Sequence, residues 1–229
     1  MDDAITYSLR TPESSAWARA FAAIYDVTLW AGERAGMRAK RKDLLAMARG
    51  RTLEIGAGTG LNLRHYPADL AQLTLAEPDP AMRARLQKRV SSSGRPVRVI
   101  DAAGECLPVA DHSVDTLVST LVLCTVETPA QVLREIARVL RPDGQVLLIE
   151  HVRSDSRALS RWQDRLDRPW RRFARGCRCN RSTPDLIAAA GFDLGAVDPA
   201  SWRAMPPILR PLVVGRATPL ERSVPAADD

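Results

Sequence analysis

The chain alternates short apolar runs with longer stretches in which apolar residues return every three or four positions. Leu53, Glu54 and Ile55 lead directly into Gly56, Gly58 and Gly60. Further apolar runs occupy 73–76, 97–100 and 114–124, the last being the longest. Runs of this kind suit strands covered on both faces of a parallel sheet. Between them, periodic apolar positions predict helices over 14–30, 33–48, 80–90 and 129–140. Pro80 and Pro129 stand where a first helical turn tolerates proline. A turn at 141–144, a fifth strand over 146–150, a helix over 183–190 and strands at 194–197 and within 208–215 complete the pattern. Pro211 has no amide donor, so the last strand is expected at a bulge or an edge. Residues 1–12 and 218–229 read as flexible ends.

The glycine-rich stretch carries the first chemical signal. Strand, tight turn and helix start follow one another over 51–62, and glycine permits positive φ and close approach of a ligand to the backbone. The helix start also leaves amide donors free for a polar or anionic group. A second run ends in Glu77, about 20 residues beyond the first glycine, where a neighbouring strand presents an acid to ribose hydroxyls. The dinucleotide fingerprint would need glycine at Leu61, and no Gly-Lys-Ser/Thr follows, so neither a dinucleotide nor a P-loop site fits.

Residues 53–60, Leu-Glu-Ile-Gly-Ala-Gly-Thr-Gly, resemble the first motif of class I S-adenosylmethionine-dependent methyltransferases. The resemblance implies an α/β, Rossmann-like doubly wound sheet of seven strands, mostly parallel with an antiparallel last strand, preceded by lid helices within 1–48. It implies S-adenosyl-L-methionine as cofactor, held by Glu54, Gly56, Gly58, Gly60 and Asn62 around the glycine loop, with Glu77 on the ribose and Pro78 beside it. Met82 either packs on the adenine or belongs to the core. The family pattern Asp-Ala-x-x-Leu-Pro, which bonds the adenine amino group, has Ala103 at its first position here. Glu105 or the backbone at Gly104 is left to substitute. Thr120 and Leu121, at the end of the long run, are expected to face the methionine portion. Tyr25, in Ile-Tyr-Asp, is a lid tyrosine or a core residue. The string 133–147, containing Leu-Arg-Pro-Asp-Gly, also follows the fourth strand in this class.

A narrower resemblance covers roughly 31–217. Thr-Leu-Val-Leu-Cys-Thr-Val at 120–126, Glu-His-Val at 150–152 and the group Gly176, Cys177, Arg181 and Thr183 are similar to the alkyl thiol methyltransferases. This implies a small lipophilic acceptor, a thiol or a heterocyclic or phenolic oxygen or nitrogen. The alternatives are a phospholipid headgroup N-methyltransferase and a non-catalytic cofactor-binding interaction protein. A helical insertion at 154–180 is expected to set the acceptor, with Trp162 and Trp170 on one face, Cys177 close by and Tyr25 opposite. Arginines interleave with these aromatics. The same face reads either as a pocket wall or as a peripheral contact with an anionic membrane. His151 follows the fifth strand and is a candidate catalytic base, or a structural histidine.

Composition narrows the picture further. The 229 residues suit one large α/β domain or a domain with a small appendage, and no run reaches the ~18 apolar residues that span a bilayer. Met1-Asp2-Asp3 shows no secretory pattern, so a cytoplasmic protein is expected. The net charge of +6 rests on arginine, since Lys40, Lys42 and Lys88 are the sole lysines. Without a separate basic domain, nucleic acid is not an expected partner. The expected partner is a small molecule, and the chain a monomer or homodimer. Cys106, Cys124, Cys177 and Cys179 show no disulfide framework, Cys124 reads as a small buried filler, and the scattered His65, His112 and His151 suggest no metal site.

Overall fold

The structure, a computed structural model, describes residues 15–220; the ends expected at 1–12 and beyond 220 lie outside them. Helix α1 (Ala16–Gly32) passes through a π turn at Glu33–Met37 into α2 (Arg38–Leu45). Strand β1 (Arg51–Ile55), β2 (Gln72–Ala76), α3 (Pro80–Ser93), β3 (Arg98–Ile100), β4 (Val114–Thr120), α4 (Pro129–Val139) and β5 (Leu140–His151) follow. Helices α5 (Arg157–Phe173) and α6 (Thr183–Ala189) precede β6 (Phe192–Ser201) and β7 (Pro211–Pro219). Among the described residues seven strands form one sheet in the order β3-β2-β1-β4-β5-β7-β6. Only β7 runs against its neighbours, pairing antiparallel with both β5 and β6. No helix among these residues is long and apolar enough to cross a membrane.

The central strands are covered on both faces. Leu53, Ile55, Leu75, Leu117, Val118, Leu147 and Ile149 are almost fully buried, split between a cluster under α2 and the glycine loop and one under α4 and α6. The long apolar run after Val114 is strand only to Thr120; Leu121 then turns at φ 61 and the chain leaves the sheet. The turn expected at 141–144 is the irregular start of β5, whose register against β4 shifts between Val114 and Thr116. Pro211 is neither at a bulge nor on an edge strand. It is the first residue of β7, which lies between two neighbours, and a strand's first residue can lack the ladder donor. Of the tail expected from 218, residues 218 and 219 are the end of β7.

The junction of α1 and α2 depends on glycine in two ways. Gly36 turns with φ 130, a conformation that side chains rarely adopt. Gly32 is ordinary helix at φ −66, but a Cβ there would lie 2.3 Å from Trp202 Nε1. Alanine normally favours a helix over glycine by about 1 kcal/mol. Here the clash with a fully buried tryptophan dominates, so Gly32→Ala is expected to destabilise the fold by about 1–3 kcal/mol in urea denaturation. A gain in stability would show that α1 does not seat on Trp202.

Candidate active site

The parallel strands end on one side of the sheet, and the loops leaving them enclose a cavity of about 360 Å³. The glycine loop forms its floor. Gly56 has φ 56, and a Cβ on it would strike Val122 at 2.6 Å. Gly58 has φ 57 and opens onto the cavity, with no atom nearer its Cβ position than 4.0 Å. Gly60, with φ 83, packs against Leu86 of α3 on the loop's far side. The three glycines therefore serve different needs, and one leaves room for a ligand against the backbone.

Glu77 closes the adjoining wall. Its Oε2 accepts from Gly58 N at 2.7 Å and its Oε1 from Asp79 N at 2.8 Å, so the acid ties two loops together while lining the cavity. Burial raises its pKa above the ordinary carboxylate range, and the two amides partly offset that shift. Asp79 caps α3 by accepting from Ala81 N and Met82 N, each at 2.9 Å, which places Pro78 and Met82 on the same wall.

A second acid, missed in the sequence because it lies inside a strand, arranges the opposite wall. Glu150 is fully buried at the end of β5. It accepts from Ser119 Oγ at 2.7 Å, from Val122 N and Leu123 N through Oε1, and from Cys124 N through Oε2. These bonds hold the turn of residues 121–124 and put Leu121, Val122 and Cys124 against the cavity. Cys124 is thus buried but is also part of the lining. Arg181 clamps the same turn from outside by donating to the carbonyls of Leu123 and Val126.

A protein-family profile described as "Methyltransferase domain" matches residues 53–148. Human thiol S-methyltransferase TMT1A is 35% identical over 173 residues, covering 72% of this chain and 69% of that protein. Rat thiol S-methyltransferase TMT1B is 36% identical over 172 residues with the same coverage. The chain belongs to the class I S-adenosylmethionine-dependent methyltransferase family of these relatives. The fold agrees: a Thermotoga maritima S-adenosylmethionine-dependent methyltransferase, described as a possible histamine N-methyltransferase, aligns at TM-score 0.66 with 23% identity, covering 88% of this chain and 97% of that one. The DhpI complex with SAH aligns at TM-score 0.63 with 16% identity, covering 89% and 94%.

The cofactor of this methyltransferase is S-adenosylmethionine, and the cavity's residues suit it. The open space at Gly58 fits a ligand lying on the backbone, Glu77 is an acceptor for hydroxyls at a strand end, and Pro78 and Met82 give an apolar wall. Tyr25, Leu121, His151, Trp170 and Cys177 line the same cavity. Other expected site residues lie elsewhere. Glu54, Asn62 and Thr120 form a buried network beneath the glycine loop, in which Asn62 Nδ2 donates to Glu54 Oε1 at 2.8 Å and to Thr120 Oγ1 at 3.0 Å. Arg41 donates to Asn62 Oδ1, and Tyr66 donates to Glu54 Oε2. Burial pushes the Glu54 carboxyl up to about 7. Gly104 packs on Val132 and Ile55, and neither it nor Glu105 lines the cavity.

Trp162 also lies outside, 55% exposed on the outer side of α5 with the Arg165 guanidinium 5.9 Å from its ring centroid. Gln163 takes the inward position. Its Nε2 donates to the carbonyls of Val152, Cys179 and Ile208, and buried carbonyls need such a donor more than the core needs another ring. Helix α1 supplies Phe21, Tyr25 and Leu29 to one wall of the cavity, and the end of α5 supplies Trp170 and Phe173 to another. The two meet where Trp17 and Phe173 approach at 5.6 Å between ring centroids. Asp26 anchors α1 to the glycine loop by accepting from Thr59 Oγ1 at 2.6 Å and pairing with Arg89 at 2.7 Å. Arg175, just past α5, pairs with Asp79 at 2.7 Å and joins the far wall to α3.

Removing the Glu77 carboxylate deletes a charged acceptor shared by the loop and the ligand. Glu77→Ala is expected to weaken S-adenosylmethionine binding by about 10- to 100-fold in calorimetry. Unchanged affinity would remove Glu77 from the cofactor wall.

Proposed function

We propose that this methyltransferase carries a methyl group to a small lipophilic thiol. The observation that carries the reading is the acceptor side of the cavity. Leu29, Leu121, Val122, Met205 and Leu209 make it apolar, and its single imidazole is neutral. His151 is buried and stacked on Trp202 at 5.6 Å between ring centroids. Burial lowers its pKa to about 4, although the carbonyls of Pro211 and Leu209 face the ring. Its Nδ1 is buried and has no hydrogen-bond partner among the described residues. A neutral ring with a free acceptor atom suits an S–H group entering the cavity. The thiol S-methyltransferase names of TMT1A and TMT1B support the same reading.

When bound, S-adenosylmethionine supplies an electrophilic methyl group on a sulfonium sulfur. The chain's own contribution is then mainly placement and exclusion of water, worth up to ~7–11 kcal/mol in ideal geometry. Gly58 and Glu77 hold one reactant, and α1 and the end of α5 enclose the other. Tyr25 is half-buried, and burial holds its phenol above its ordinary range, so it remains a donor near the reacting atoms. A thiol with a pKa of ~8.5 is partly ionised at neutral pH and needs only a weak acceptor such as His151 Nδ1. An alcohol or phenol would depend on that base more strongly.

A second reading has its own support. A phosphatidylethanolamine N-methyltransferase from Cereibacter sphaeroides is 33% identical over 128 residues, covering 51% of this chain and 62% of that protein. The exposed arginines of α5, among them Arg161, Arg165 and Arg168, suit an anionic lipid surface. Parallel assays with a panel of alkyl and aryl thiols and with phosphatidylethanolamine vesicles separate the two. Turnover on the lipid alone would replace the thiol reading, and cofactor binding without turnover on either would favour a non-catalytic role.

The imidazole sets a pH dependence. It must be unprotonated to accept and burial keeps it so down to about pH 4, so kcat/KM for a thiol should follow the thiol's own ionisation through neutral pH and show a further loss only as pH passes about 4. His151→Gln should remove that acid limb and cost about tenfold or less with a thiol, but a hundredfold or more with a phenol. A separate break near the free imidazole value of ~6.5 would overturn the buried, neutral ring as the acceptor.

A further inference from the structure

Two thiols face each other across the cavity lining. Cys124 lies in the turn after β4 and Cys177 in the turn after α5, and their sulfurs are 4.0 Å apart. Both are buried and reduced, both line the cavity, and methyl transfer takes no electron from either. The backbone holds the pair in register. Arg178 N donates to Cys124 O at 2.8 Å, and Cys124 N is fixed on Glu150, so the chains beside the two cysteines are directly bonded. A disulfide would need the sulfurs to approach by about 2 Å, within reach of side-chain rotation. Gly176, with φ 106, lets the turn pass close to Thr125 O, where a Cβ would lie at 2.8 Å.

The two sulfurs are chemically unequal. The hydrogen bond between them lowers Cys177 below the ordinary thiol range, and the same bond with burial raises Cys124. Cys177 keeps 8% exposure toward the cavity and Cys124 none, so Cys177 is the sulfur a bound disulfide reaches first and Cys124 the resolving thiol. The other cysteines differ: Cys179 is buried with its thiol pushed up to about 12, and Cys106 is exposed and away from the cavity.

We propose that Cys124 and Cys177 form a reactive dithiol that reduces an apolar small-molecule disulfide bound in this cavity. The Cys177 thiolate attacks one sulfur of R–S–S–R. The S–S bond breaks, a Cys177–S–R mixed disulfide forms, and RS⁻ leaves with the proton Cys177 gave up. Cys124 then loses its proton and attacks the Cys177 sulfur, forming the Cys124–Cys177 disulfide and releasing the second RS⁻, which takes that proton. The bound disulfide is reduced to two thiols and the protein dithiol is oxidised. The exchange stands on the sulfur geometry alone. Its use, delivering a thiol in the same cavity that holds the methyl donor, rests on the thiol reading above.

Reduced protein incubated with diphenyl disulfide tests the exchange by intact mass, peptide mapping and released thiophenol. The expected result is a protein about 2 Da lighter with about two equivalents of thiophenol, and a mapped Cys124–Cys177 link. Cys124→Ser should keep a phenylthio adduct on Cys177, and Cys177→Ser should give neither adduct nor link there. If a serine variant does not fold, the wild-type link decides. Unchanged wild-type mass, adducts on Cys106 alone, or equal reaction in folded Cys177→Ser would overturn the proposal. Methylation of thiophenol is measured separately on the reduced protein. Methylation without exchange overturns the dithiol and leaves the acceptor reading, whereas exchange without methylation of any thiol supports the dithiol and removes that reading.

Discussion

Where a parallel sheet stops, its ladder stops too, and the loops that leave it carry amide donors with no strand to accept them. Buried amides of this kind need an acceptor. Two acids at the ends of β2 and β5 provide it. Glu77 takes the amides of Gly58 and Asp79, and Glu150 takes those of Val122, Leu123 and Cys124. Burying two carboxylates is unfavourable, and both are raised above their ordinary range by burial. The unfavourable term is tolerated because each acid fixes a loop that would otherwise have several equivalent arrangements. The cavity exists because these two loops are rigid and set apart.

Much of this was legible in the residues. The glycine spacing and Glu77 pointed to the cofactor because both act through local geometry: a turn that needs positive φ and an acid at a strand end. The strand positions followed from apolar runs too short and too uniform for helices, whereas the sheet's architecture came from the family resemblance. The limits of the reading are equally physical. Glu54 and Asn62 sit within the motif by sequence but under it in space, Glu54 on the hidden side of β1 and Asn62 at the turn that follows Gly60, where it bonds Glu54. Trp162 looked inward on hydropathy, but a helix seated on buried carbonyls needed Gln163 there instead. Glu150 entered only as part of the Glu-His-Val string and without a role, because its partners, the Ser119 hydroxyl and three backbone amides, lie 26 to 31 residues away.

The walls of the cavity differ in how firmly they are held. The floor belongs to the sheet, whereas α1 and the end of α5 meet through one aromatic contact and are tied down by pairs at Asp26 and Asp79. Those ion pairs are partly exposed, and such pairs contribute only about 0–1 kcal/mol each. The side of the enclosure built by α1 and the end of α5 is therefore its softer half, and the side built by the sheet its stiffer half.

The placement of β7 bears on how the molecule is made. It enters the sheet between β5 and β6, so β5 keeps an open edge until residues 211–219 have been synthesised. That edge ends in His151, whose ring is faced by carbonyls of Leu209 and Pro211. The nucleotide half of the sheet can close early from contacts near in sequence. The half of the sheet beyond β5 waits for the last strand, with an unpaired edge exposed meanwhile to other nascent chains. A ribosome pausing before residue 211 would hold the chain at its most adhesive stage.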